Sequence, residues 1–171
     1  MTRHDRERQS MDGDPWDRVY RFALSLSRHT QDAEDLTQEC FLRINRQTTP
    51  PEQPLAWCFR VVRNLWLDRC RQREVRGEDA GQDLGSLSGN ERDPAVVASF
   101  NEELTRVWRH MMDLPDRQRE VLYLRAIEQM SAAEVAETLQ LSHANVKATL
   151  SLARKRMRET CDPMPSEESR S

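Results

Sequence analysis

Between Leu55 and Trp66, the side chains of Leu55, Cys58, Phe59, Val62, Leu65 and Trp66 fall at i, i+3, i+4, i+7, i+10 and i+11. That is the spacing of one buried helical face. The other face carries Trp57, Arg60, Val61, Asn64, Asp68 and Arg71, with Arg63 on its flank. The same periodicity recurs elsewhere. Asp14-Pro15 supplies an N-cap and a first helical residue, followed by Trp16, Val19, Tyr20 and Ala23 to about Arg28. A second helix is expected from about Asp32 to Gln47, with Ala33, Leu36, Cys40 and Ile44 inside. Its edge carries Asp32, Asp35 and Glu39, with Glu34 nearby. Residues 47–54, QTTPPEQP, read as a loop because their three prolines oppose a helix.

From Gly77 to Pro94 the pattern stops. Four of the chain's five glycines lie there, with five acids against one arginine, so a flexible linker is expected. Asp93-Pro94 then starts a helix with Val96, Val97, Phe100, Leu104, Val107, Trp108 and Met111 as its apolar stripe. Leu114-Pro115-Asp116 ends it and caps the next, whose inner residues are Val121, Leu122 and Leu124. Ser131 and Glu134 form a capping box for a short helix with Val135, Ala136 and Leu139 inside. Ser142 caps the last helix, with Val146, Leu150 and Ala153 inside. Outside are His143, Asn145, Lys147, Thr149, Arg154, Lys155, Arg156 and Arg158. Two capped helices around a short turn, the second basic, make a helix-turn-helix.

Composition narrows the chemistry. The chain has 171 residues and a formal net charge of −3, so any nucleic-acid binding rests on local patches. The segment from Trp57 to Arg76 is such a patch, with six arginines against two acids. An exposed aromatic ring among cations and an amide suits single-stranded nucleic acid: the ring stacks, the cations meet phosphates. A solvated arginine-rich helix over a core accounts for the same residues. The acidic edge of the second helix likewise reads either as a complement to the helix dipole or as a docking edge for a basic partner. No apolar run approaches the roughly 20 residues of a membrane span, and residues 1–14 lack the apolar core of a secretory signal. The cysteines Cys40, Cys58, Cys70 and Cys161 show no CxxC spacing, so reduced cytoplasmic thiols are expected. The histidines are scattered, so no metal, no cofactor and no enzymatic activity are expected.

Three blocks carry a family resemblance: DAEDLTQECFLRI (32–44), WCFRVVRNLWLDRCRQR (57–73) and LPDRQREVLYLRAIEQMSAAEVAETLQLSHANVKATLSLARKRMR (114–158). In this order they resemble bacterial RNA polymerase sigma factors of the extracytoplasmic-function group. The resemblance implies an all-α fold of two small helical domains. Region 2, a three- to four-helix bundle, falls at residues 14–76, and region 4, the helix-turn-helix, at 95–160. The flexible acidic linker is 77–94, and 1–13 and 161–171 are expected to be disordered. It implies that Asp32, Asp35, Gln38, Glu39 and Phe41 grip core RNA polymerase. Trp57, Arg60, Arg63 and Asn64 would capture the unwound −10 strand, with Arg69, Arg71 and Arg73 on its backbone. Ser131, Ser142, His143, Asn145, Lys147, Thr149 and Arg154 would meet the duplex −35 element. An anti-sigma factor is a further expected partner. The rival expectation is an autonomous helix-turn-helix regulator.

The recognition helix departs from the family pattern. Where the family commonly reads SVGTVKSRLHRAR, this chain reads SHANVKATLSLAR, with Thr149 and Leu152 in place of arginines. Each lost phosphate contact flattens the salt dependence of duplex binding by nearly one log unit. Gln140 stands where glycine usually makes the turn.

Overall fold

The computed structural model describes residues 13–77 and 102–161. The expected linker, the Asp93-Pro94 helix start, Val96, Val97 and Phe100 lie outside the described residues, as does the side chain of Leu104. Seven helices and no strand occur among the described residues: α1 Pro15–Ser27, α2 Thr30–Asn45, α3 Pro54–Val75, α4 Glu102–Met112, α5 Asp116–Ala126, α6 Ala132–Leu139 and α7 His143–Cys161. They form two compact units, α1–α3 and α4–α7.

In the first unit each helix packs against the other two. Asp14 caps α1, its carboxylate accepting from the Trp16 N–H at 3.1 Å. Pro15 sits at N1, where the missing N–H costs no bond. Arg28 ends the helix in the left-handed conformation, its N–H donating to the Leu24 carbonyl. The chain re-enters helix at Thr30, two residues earlier than expected, which places Asp32 inside the first turn of α2. Pro54 is not loop: it is the first residue of α3, the one helical position that proline suits. The core is Val19, Phe22, Ala23, Leu36, Cys40, Cys58, Phe59 and Val62, with Phe22 edge-on to Phe59 at 5.1 Å. Cys40 directs its thiol at the Cys58 carbonyl, 3.7 Å away. That neighbour, and burial after it, push the Cys40 thiol well above the ordinary range, so it stays protonated at neutral pH.

In the second unit α7 packs on α4, α5 and α6. Buried Arg119 ties the α4–α5 turn together, donating to the Leu114 carbonyl at 2.8 Å and to Asp116 at 2.6 Å. Asp116 is therefore not the cap of α5; Pro115 holds that position without a side-chain bond. Trp108 lies edge-on to buried Tyr123. The capping box of α6 forms: Glu134 N–H donates to Ser131 Oγ at 3.2 Å, and Ser131 N–H to Glu134 at 2.6 Å. α6 ends at Gln140, at φ 55°, and the Leu141 N–H donates to the Ala136 carbonyl. This is the hydrogen-bond pattern of a glycine-type C-cap carried by a residue with a Cβ.

Two stability effects follow from this turn-and-cap geometry. Gln140→Gly removes the Cβ penalty of the left-handed conformation and should stabilise the unit by up to about 1 kcal/mol. Thermal unfolding should shift upward by several degrees; an unchanged or lower midpoint would show that the strain is relieved elsewhere. The Ser131 N–H, and secondarily its hydroxyl, hold the Glu134 carboxyl below its ordinary value of 4.5. A carboxyl lowered in the folded state stabilises above its unfolded pKa and loses that contribution as pH falls through the folded one. Glu134→Gln, which removes the carboxylate that Ser131 holds at the start of α6, should therefore cost about 0.3–1 kcal/mol at neutral pH. That difference from the parent should shrink as pH drops below 4.5, measured by urea unfolding across the acid range.

Candidate nucleic-acid interface

The bundle-facing row of α3 is longer than the apolar spacing suggests. Phe59 and Val62 are buried, and the row continues through half-buried Trp66 to Arg69 and Arg73. These two arginines reach across to α2, where Asp32 accepts from both. Arg69 lies 3.2 Å from one carboxylate oxygen, and Arg73 lies 2.9 Å from the other. The Arg73 guanidinium also stands over the Trp66 ring, 5.6 Å from its centroid. Arg69 and Arg73 therefore do not lie on the face of Trp57 and Asn64, and Asp32 is not on an outer edge. Arg63 is 5% exposed and belongs to the core side, where a flank position was expected.

The opposite face keeps its expected members. Trp57, Arg60 and Val61 are half-buried, while Asn64, Asp68 and Arg71 are exposed. Asp68 pairs with Arg71 at 2.9 Å, an exposed contact that a phosphate can displace at little cost. A ring, two arginines and an amide thus share one uncovered helix face.

On α2 the outward row is Asp35, Gln38 and Leu42, with Glu39 beside it. Asp35 accepts from Gln31 at 3.3 Å and Glu39 pairs with Arg43 at 2.7 Å. Phe41 does not join this row; it stacks against Trp16 with ring centroids 5.0 Å apart. Leu42, 51% exposed, was missed by the sequence reading. Its signal was present: it falls outside the buried spacing of Ala33, Leu36 and Cys40.

In α7, Val146, Leu150 and Ala153 are buried as expected. Ser142 caps the helix, accepting from the Asn145 N–H at 3.1 Å. His143, Asn145, Lys147 and Arg154 are exposed and Thr149 is half-buried. Ser131 is exposed but engaged in its capping box, its hydroxyl, N–H and carbonyl all bonded within α6. No group of His, Cys, Asp and Glu among the described residues is arranged to hold a metal. None of the helices is long and apolar enough to cross a membrane, among the residues described.

Comparison with known proteins agrees with this layout. A model of sigma-70 region 2 matches residues 17–76, and one of sigma-70, region 4 matches residues 104–157. The ECF RNA polymerase sigma factor SigM of Bacillus subtilis is 34% identical over 143 residues, spanning 82% of this chain and 86% of SigM. The chain belongs to the sigma-70 family, in its extracytoplasmic-function group. Its role is accordingly that of a sigma factor in transcription initiation. SigE of Mycolicibacterium smegmatis is 32% identical over 146 residues, covering 84% of this chain but 57% of SigE. The sigma factor RpoE of Bartonella quintana, solved with the anti-sigma factor NepR, shares the fold. Its TM-score is 0.61 at 20% identity, over 86% of this chain and 91% of that one.

The ion-pair cluster makes a direct prediction. Asp32→Asn leaves two partly buried guanidiniums without their counter-charge. It should destabilise the first unit by about 1–2 kcal/mol, a charged hydrogen-bond loss discounted for partial exposure. The difference from the parent should narrow at 1 M salt, where the Debye length is about 3 Å. Equal unfolding midpoints at low salt would show that the cluster adds nothing.

Proposed function

We propose that this sigma factor docks on core RNA polymerase through the outward row of α2. It traps the unwound −10 strand on the outward face of α3 and reads duplex −35 DNA with α7. The observation that carries this reading is the opposed arrangement of α3. One face is consumed by the bundle and by Asp32, and the other leaves Trp57, Arg60, Asn64 and Arg71 together on an uncovered side. Stacking, phosphate neutralisation and base-edge hydrogen bonding all become available on that side.

Asp35, Gln38 and Glu39, with Leu42 as an apolar centre, form the polymerase edge. The chain adds no catalytic chemistry of its own: capturing the melted strand supplies the bias toward the open state. A base edge is read fully only after leaving the stack, and the loop before α3 would accept the extruded base. An anti-sigma factor would silence the chain by covering the same acidic and basic faces. That a sigma factor of the same fold is solved with the anti-sigma factor NepR supports a partner of this kind.

Size-exclusion chromatography with bacterial core polymerase stripped of sigma should give stoichiometric co-elution. Failure to co-elute, with tight duplex binding by the chain alone, would instead establish an autonomous regulator. Replacing Asp35 and Glu39 with lysine should abolish co-elution. Trp57→Ala with Asn64→Ala should co-elute normally yet fail to open promoter DNA in permanganate footprinting. Melting that survives this double variant would remove α3 from the mechanism.

A further inference from the structure

The recognition helix exposes an apolar row that the core does not use. Ala144, Ala148 and Leu152 follow at i, i+4 and i+8, and all three are exposed, Leu152 at 54%. The buried row of Val146, Leu150 and Ala153 already supplies the packing of α7 against its unit. A leucine at that exposure gains nothing from the fold. Its surroundings show what it suits. Lys147, Ser151 and Lys155 run along one side of the row, Asn145 stands on the other side at its start, and Arg156 continues the row one turn beyond Leu152, all exposed. Cations beside and beyond a strip of methyl groups suit a major groove, with phosphates on its rims and base edges on its floor. The one apolar group that B-DNA presents on that floor is the thymine C5-methyl.

Resting on the reading that α7 enters duplex DNA, we infer that Leu152, with Ala148 beside it, is a specificity residue that reads thymine through its C5-methyl group. The small side chains of Ala144 and Ala148 allow the helix axis to approach the bases. Leu152 then reaches a methyl that an arginine in its place would pass by on the way to a phosphate. Specificity at this position comes from apolar contact, which salt does not screen, while Lys147, Arg154 and Arg156 supply the salt-dependent part of the affinity.

The test uses the full chain in complex with core polymerase. Duplexes are selected from a library randomised upstream of a fixed −10 element, and the enriched thymines are then replaced singly by deoxyuridine, which lacks only the methyl. At one thymine the replacement should weaken binding about fourfold, the equivalent of one buried methyl. With Leu152→Ala the same replacement should change nothing, and thymine enrichment at that position should fade. Leu152 is exposed and alanine favours helix, so this variant should fold. Leu152→Arg should also lose the methyl dependence, while steepening the salt slope by about 0.9 for a regained phosphate contact. Deoxyuridine tolerated at every enriched position by the parent would overturn the inference and leave α7 a duplex reader. An unselective library with polymerase still bound would overturn the α7 reading itself. A Leu152→Ala variant that keeps its methyl dependence but loses polymerase affinity would assign the leucine to a protein contact and likewise overturn the inference.

Discussion

A single carboxylate holding two guanidiniums governs the first unit. α3 has 22 residues, about 33 Å at 1.5 Å per residue, but its last fully buried residue is Arg63. The three turns beyond it are anchored by half-buried Trp66 and by Asp32, which accepts from Arg69 and Arg73 one helical turn apart. The outward row of Asn64, Asp68 and Arg71 lies on those same turns, so its orientation depends on a contact on the opposite side of the helix. Electrostatics here takes over where apolar packing ends. A partly desolvated carboxylate with two charge-assisted donors is stronger than an exposed pair, yet remains open to salt. The acidic start of α2 is thereby divided: Asp32 serves the bundle, while Asp35 and Glu39 make only contacts within their own helix, to Gln31 and Arg43.

The second unit uses the same device at its α4–α5 turn. Arg119, 1% exposed, places its donors on a turn carbonyl and on Asp116. An unpaired charge at that depth would be strongly unfavourable; satisfied on several sides, it ties the turn to the core. Arg125 similarly donates to the Met130 carbonyl ahead of α6. These contacts hold α5 and α6 in place, and α7 lies against them along one narrow row. Outside that row, His143, Asn145, Lys147 and Arg154 are exposed.

The sequence reading succeeds where spacing and residue type agree. Val146, Leu150 and Ala153 are buried, as are Ala33, Leu36 and Cys40, and both the Asp14 cap and the Ser131 box form. It fails where they disagree. Arg69 and Arg73 continue the spacing of Phe59, Val62 and Trp66, but as arginines they are not counted in the buried row, and the family resemblance implies only a role on the DNA backbone. Their partner lies 37 and 41 residues earlier in the chain, and no local pattern pairs them. Pro54 reads as a breaker because of the prolines before it, although the first turn of a helix accepts it. Phe41 lies off the row of Asp35, Gln38 and Leu42, because its ring packs against Trp16, a contact no spacing within α2 reveals. Gln140 was legible as a departure from glycine; that it adopts positive φ is visible only in the folded turn.

The departures in α7 become intelligible together. Replacing two cations with Thr149 and Leu152 lowers the sequence-independent part of duplex binding, which scales with the phosphates neutralised. A chain of net charge −3 already has little general attraction for DNA. Both features push in the same direction: on the proposed reading the free protein has little affinity for arbitrary duplex, and two linked units bound together on polymerase would restore it at a promoter. Under that regime each recognition surface can be weak alone. A helix that trades phosphate contacts for apolar ones loses affinity it does not need and keeps discrimination that salt does not erode. Asp32 neutralises two arginines inside the bundle, while on α7 the exposed cations Lys147, Arg154 and Arg156 remain for phosphates and Leu152 stands among them as the apolar contact the inference rests on.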